Sequence, residues 1–361
     1  MMRYLVLVWC LVLAWPASAQ EDGETGESTV EGEVQQLESA AEEAAAEAED
    51  AEPRPLEPFT LQIKWLPQAQ FAGYYVAQAN GFYAEEGLDV TILPGGPDID
   101  PLSALRNGSA DVAIDWLPPV LYASERGASL VNIAQIFQFS GQTVTCRDAA
   151  GIETPEDLRG KTVAFNKGGD EFTVRAWFSS LGIPLDGSDD GITLVDRAVG
   201  VSDLIDGTAD CITAQTYNEL GMLEERGFNA NNMTIFDFEE LGVATLQDGI
   251  YATQSALSDT DKVDQIVRFL RASLKGWRSA LARRDTAVQL VLQAMEDPTA
   301  SRDHQLHMIT EVGRLIGPTD DFLGLLTPES YEVTINRLEE GGVLAQAPAQ
   351  GWSHSLWLQA Q

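Results

Sequence analysis

Basic residues are scarce in this sequence: 22 Lys and Arg stand against 56 Asp and Glu, a formal net charge of −34. Such an acidic chain excludes nucleic acid, an anionic membrane surface or a polyanion as its partner. Histidine is rarer still. His304, His307 and His354 all fall late in the chain, and no carboxylate or Cys completes a metal-ligand spacing around them. They read as surface helix residues. Cysteine is limited to Cys10, Cys146 and Cys211. The last two allow one disulfide in an oxidising compartment, or two buried thiols with Cys146 as apolar filler. Catalytic signatures are missing as well: there is no GxSxG, no phosphate-cradling loop, no GxGxxG, and no Cys paired with a His.

Long apolar runs are confined to the first residues. "MMRYLVLVWCLVLAWPASA" carries one Arg, a short hydrophobic run and a small-residue Ala17-Ser18-Ala19 site, the pattern of an export signal over residues 1–19. No later segment reaches the ~20 apolar residues of a membrane helix. Residues 20–58 are almost all Glu, Ala, Gly, Ser and Pro, which predicts an acidic disordered spacer, since so little apolar surface cannot offset chain entropy. The mature protein is therefore expected in the periplasm.

From Phe59 onward, strand-like runs alternate with helical periods, the rhythm of an α/β fold. "FTLQIKW", "LDVTILPG" and "DVAID" read as strands around the helices "QFAGYYVAQANGFYAEEG" and "DPLSALRNG". "KTVAFN", "ITLVD" and "DCITA" repeat the scheme around "DEFTVRAWFSSLG" and "VSDLIDG". "LSALRNGSADVAIDWLPPVL" and "VSDLIDGTADCITAQTYNEL" align as helix, Gly, small residue, Ala-Asp, strand, helix, which predicts two lobes of similar design. A helical C-terminal third, with Trp277 in its core, completes the first lobe. The expected division is residues 59–145 plus 250–361 for lobe 1 and 146–249 for lobe 2.

In open α/β sheets, ligands sit where strands run into helices. Four such junctions carry unusual residues: Trp65 with Gln70, Phe71 and Tyr74; Asp115 with Trp116; Asn166 with Gly169, Asp170 and Glu171; and Gln215 with Tyr217. The aromatic groups suit a flat ring, and the carboxylates and amides suit its hydrogen-bonding edge. Lys167 is the one cation at these junctions, whereas a sulfonate or phosphate site wants several. Each residue has a plain alternative: Trp65 and Phe71 as strand-to-helix packing, Asp115 and Asp170 as helix caps. The residues predict a two-lobed exported binder of a small planar ligand, with no cofactor and no metal.

"LQIKWLPQAQFAGYYVAQANGFYAEEGLDVTILPGGPDIDP", "GSADVAIDWLPPVLYASERG", "LVNIAQIFQFSG" and "GIETPEDLRGKTVAF" closely resemble the NMT1/THI5-like family, substrate-binding proteins of ABC importers. The resemblance covers residues 59–345 and implies a type II periplasmic binding protein fold: two lobes with mixed sheets and a C-terminal helical layer, closing like a clamshell. It implies a permease and its ATPase as partners and a monomeric chain. Bacterial relatives with "WLPQAQFAGYY" and "DWLP" look like carriers of hydroxymethylpyrimidine or formylaminopyrimidine, precursors of thiamine; others carry riboflavin. The eukaryotic branch synthesises the pyrimidine with pyridoxal phosphate. Here Asp115 stands where that branch has its cofactor lysine, Pro119 lies near its donor histidine, and "LGVATLQD" has none of its cysteines. The resemblance thus implies transport rather than synthesis.

Overall fold

The computed structural model describes residues 55–295, 297–317, 322–346, 348 and 351–361. The expected export signal and the spacer to residue 54 lie outside the described residues. The spacer was expected to reach residue 58, yet the first strand already begins at Glu57. Its partner explains this: Glu57 and Pro58 pair with Leu88 and Asp89, so the ladder recruits them despite their exposure.

Ten strands form two five-stranded sheets among the described residues. They are β1 (Glu57–Gln62), β2 (Leu88–Leu93), β3 (Val112–Asp115), β4 (Leu130–Gln135), β5 (Gln142–Arg147), β6 (Thr162–Phe165), β7 (Thr193–Asp196), β8 (Cys211–Gln215), β9 (Met233–Asp237) and β10 (Gly249–Thr253). The first sheet runs β2-β1-β3-β10-β4, the second β7-β6-β8-β5-β9. In each, four strands run the same way and one, β10 in the first sheet and β5 in the second, runs against its two neighbours. Both sheets are therefore mixed, as the resemblance implied.

The repeated Ala-Asp signature has a structural meaning. Gly108 and Gly207 adopt positive φ (75° and 72°), which a side chain would oppose, and turn the chain back toward the sheet. Asp111 Oδ2 then accepts the Thr60 N–H of β1 at 2.7 Å, and Asp210 Oδ2 accepts the Thr162 N–H of β6 at 3.0 Å. Each aspartate staples the parallel neighbour of the strand it precedes.

The run expected as a helix closed by Gly81 or Gly87 uses both: each takes positive φ, and the run divides into Ala72–Ala79 and Phe82–Glu85. The first of these crosses the long helix Thr260–Ala282 at two glycines. A Cβ on Gly276 would lie 2.2 Å from the Gly73 carbonyl oxygen, and one on Gly73 would meet the Trp277 ring at 2.2 Å. Trp277 is 1% exposed and belongs to the first sheet's core, together with Phe59, Leu61, Ile114 and Phe269. The second sheet packs Val144, Val163, Trp177, Phe178 and Phe238. Cys146 and Cys211 face each other across β5 and β8 and form a disulfide, which closes the choice between bridge and free thiols.

The chain crosses between sheets at residues 136–141 and 238–248. Gln142–Thr145, expected in lobe 1, pair wholly with β8 and β9 of the second sheet, because β5 extends back to the residue opposite Gln215. The C-terminal layer also reaches both halves. Helix Arg302–Ile316 meets the second sheet's loops through His304, and the chain after helix Pro328–Glu340 packs Gly341 against Ala176. We propose the two crossings as the lobe boundaries.

Candidate functional site

Five loops converge between the sheets on a cavity of about 40 Å³. The loop after β1 brings Lys64, Trp65, Gln68 and Gln70, and the end of β3 brings Trp116. The β6 loop brings Asn166, Lys167, Gly169 and Asp170, and the segment after β7 brings Arg197. The end of β8 and its loop bring Gln215, Tyr217, Asn218 and Glu219. Of the expected residues, Trp65, Gln70, Trp116, Asn166, Gly169, Asp170, Gln215 and Tyr217 line it.

Four expected residues do not. Phe71 is fully buried in the first core, and Tyr74 packs edge-on against Trp277 with ring centres 5.6 Å apart. The helical period turns both away from the cleft. Asp115 accepts Lys64 Nζ at 2.5 Å and the Trp116 N–H at 2.7 Å, so both its bonds are internal. Burial raises its pKa and the Lys64 ammonium opposes that rise. Glu171 turns back to accept the N–H groups of Gly168 and Gly169 at 3.1 and 2.9 Å.

The site rests on local backbone chemistry. Trp116 precedes helix Leu117–Glu125, whose Pro118 suits the first turn, where no N–H partner is needed. Gly168 has φ +89°. Gly169 is required for a different reason: its Cβ would lie 2.7 Å from the Trp116 ring, so the tryptophan packs directly on backbone.

Two buried carboxyls give the cavity its electrostatic character. Asp170 accepts Thr213 Oγ1 at 2.5 Å and Gln215 Nε2 at 3.4 Å. Burial pushes its pKa up to about 6, against the pull of Arg197. Asp248, which sequence reasoning missed, accepts Gln70 Nε2 at 2.8 Å and Trp116 Nε1 at 2.8 Å, and burial likewise raises it to about 6. It stands behind the wall and orients an amide and an indole that line the cavity. Its φ of +47° is a conformation that Asp tolerates better than most residues. The "QDG" before β10 was the available signal.

The scarcity of cations also needs correcting. Besides Lys167, Lys64 and Arg197 line the cavity, the latter from a fifth junction after β7 that spacing did not single out. All three are paired: Lys64 with Asp115, Arg197 with Glu219 at 2.7 Å, and Lys167 with Asp196. Arg197 and Glu219 are almost wholly buried, which matches the rule that interior charges occur in pairs. His304, expected on the surface, is buried and bonds Asn218 at 3.0 Å, because its helix lies against the loop after β8. No cluster of three His, Cys, Asp or Glu suited to a metal occurs among the described residues.

Paired mixed sheets with a polar cavity between them define a type II periplasmic binding protein fold, the architecture of ABC-importer solute binders. The solved periplasmic aliphatic sulphonate binding protein SsuA from Escherichia coli superposes with a TM-score of 0.62. The match covers 83% of this chain and 93% of that one at 15% identity. The chain belongs to the family described as NMT1/THI5 like, which it matches over residues 68–287. Among its relatives is the formylaminopyrimidine-binding protein of Halalkalibacterium halodurans, 24% identical over 81% of this chain and 87% of that protein. The riboflavin-binding protein RibY of Chloroflexus aurantiacus is 26% identical over 70% of this chain and 71% of its own length.

Proposed function

We propose that this chain is the exported solute-binding protein of an ABC importer. Its ligand is a small planar heterocycle with an amino and ring-nitrogen edge, namely hydroxymethylpyrimidine or formylaminopyrimidine, which it delivers to a permease and its ATPase. The observation that carries this reading is Asp170. It is a buried carboxyl facing a cavity walled by Trp65, Trp116 and Tyr217, with no cation bonded to it among the described residues. A protonated or amino-bearing ring edge supplies the donors that this carboxyl needs, and the planar walls suit the ring's faces.

The paired state of all three cations weighs against a sulfonate or nitrate, which would have to displace Asp115, Glu219 or Asp196. Asp115, behind the cavity wall, stands where the synthases have their cofactor lysine, which weighs against a pyridoxal-dependent synthase. Riboflavin is the second reading, favoured by the relative named for it and by the same aromatic walls.

Thermal-shift measurements with hydroxymethylpyrimidine, formylaminopyrimidine, thiamine, riboflavin and taurine test this. A true ligand at a hundred times its Kd stabilises the fold by about 2.7 kcal/mol. Stabilisation by a pyrimidine and loss of that effect in Asp170→Asn supports the reading. Stabilisation by riboflavin alone replaces the substrate, and stabilisation by taurine alone overturns the site assignment.

A further inference from the structure

The residues nearest the cleft include a bond from one sheet to the other that no ligand makes. Lys64 follows β1 in the first sheet, and its Nζ donates to the Gly168 carbonyl oxygen of the second sheet's β6 loop at 2.8 Å. The next atoms of that same peptide unit are the Gly169 N–H, which donates to Glu171 Oε2 at 2.9 Å. A positive group thus stands at the oxygen end of one peptide and a negative group at its hydrogen end. Each polarises the peptide in the sense that strengthens the other's bond. Trp116 packs on Gly169 from the first sheet's side, and the ammonium sits 4.9 Å from that indole's centre.

We propose that Lys64, the Gly168–Gly169 peptide and Glu171 form a latch that holds the two lobes closed over the ligand. This rests on the solute-binding reading above and adds the residues that set how long the ligand stays. Lys64 remains bonded to Asp115 of its own half when the lobes part, so opening breaks one charge-assisted bond without stranding a bare ammonium. Glu171 is a positioning residue: it aims the carbonyl at Lys64 by holding the two N–H groups of the glycine pair. Gly169 is the steric condition, since any side chain there keeps Trp116 from seating.

The latch acts after encounter, so its loss appears in dissociation. In stopped-flow measurements with formylaminopyrimidine, hydroxymethylpyrimidine and riboflavin as probes, Glu171→Gln and the charge-neutral pair Lys64→Met with Asp115→Asn should raise koff about tenfold or more. Their kon should stay within about twofold of the parent value, since affinity changes within one interface fall mainly on koff. A purely structural role would instead lower the melting temperature and leave koff of the folded fraction unchanged, which overturns the latch.

Spin labels on the exposed positions Asn107→Cys and Asp189→Cys, one beside each sheet, test closure without any ligand. A short-distance population in the parent that shrinks in Glu171→Gln and vanishes in Gly169→Val supports the latch. Identical distributions in parent and variants overturn it. If none of the three probes stabilises the parent protein, the ligand reading fails, and the label distances still decide the latch.

Discussion

The two sheets share a strand order, a helix-Gly-Ala-Asp staple and a reversed crossing, yet they are held together differently. The first lies under a 23-residue helix whose Trp277, Phe269 and Leu274 extend an apolar core. The second is covered by the 11-residue helix Asp170–Ser180, which supplies Val174, Trp177 and Phe178, and by the short helices Ser202–Ile205 and Glu219–Glu224; it has a smaller core and a disulfide between adjacent strands. A shared supersecondary plan therefore does not prescribe a shared source of stability. Where a 23-residue amphipathic helix is at hand, burial suffices; where the covering helices are shorter and the core smaller, a covalent tie limits the unfolded chain as well.

Removing each device in turn should break that comparison. Trp277→Ala in the first half is expected to cost about 3–5 kcal/mol, the range for deleting a large buried aromatic, read as a fall in the denaturant midpoint. Replacing both Cys146 and Cys211 by Ser in the second half should cost about 4 kcal/mol, because the bridge closes a long loop. The parent protein should lose a similar amount on reduction, whereas the Ser variant should be indifferent to reductant.

The shared cleft gives a third, pH-dependent test. Asp170 and Asp248 titrate near 6 in the folded protein against 3.8 for the free side chain, because burial disfavours their charged forms. Their folded pKa values are raised, so the stability they contribute is present below about pH 4 and lost as pH rises through 6. Each group accounts for on the order of 3 kcal/mol across that span. Denaturation at pH 5 and pH 7.5 should show the ligand-free protein more stable at the lower pH, and Asp170→Asn should flatten the slope. A ligand that donates to Asp170 reverses the trend by favouring the carboxylate. The smallest effect concerns the staples. Asp111→Ala and Asp210→Ala should each cost about 1–2 kcal/mol. Equal costs would show the two halves to be energetically alike at this element, and unequal ones would locate a difference that the shared geometry hides.

Much of this was legible in the residues. Gly108 with Asp111, and Gly207 with Asp210, recur because a left-handed turn followed by a side-chain acceptor is local chemistry. The strand runs are legible for the same reason, since period-two burial is written in neighbouring residues. At the site, aromatic and amide residues after strand ends stood out because an acidic chain seldom collects them there. Asp115 and Glu171 were legible as unusual but not as internally bonded. Their partners, Lys64 and the Gly168–Gly169 peptide, lie on other elements or bind through backbone. Asp248 and Arg197 were missed because each sits in a segment whose own pattern says only "turn".

The sequence by itself determined the alternation of strands and helices, the duplicated half and the family membership, because short-range periodicity and local caps encode them. Tertiary structure alone decided that Cys146 meets Cys211, that three cations reach the cavity already paired, and that one peptide is held from both lobes at once. Those facts depend on which loops two separately formed sheets bring within hydrogen-bonding distance, and hydrogen bonds and ion pairs act only over a few ångströms that chain order does not specify.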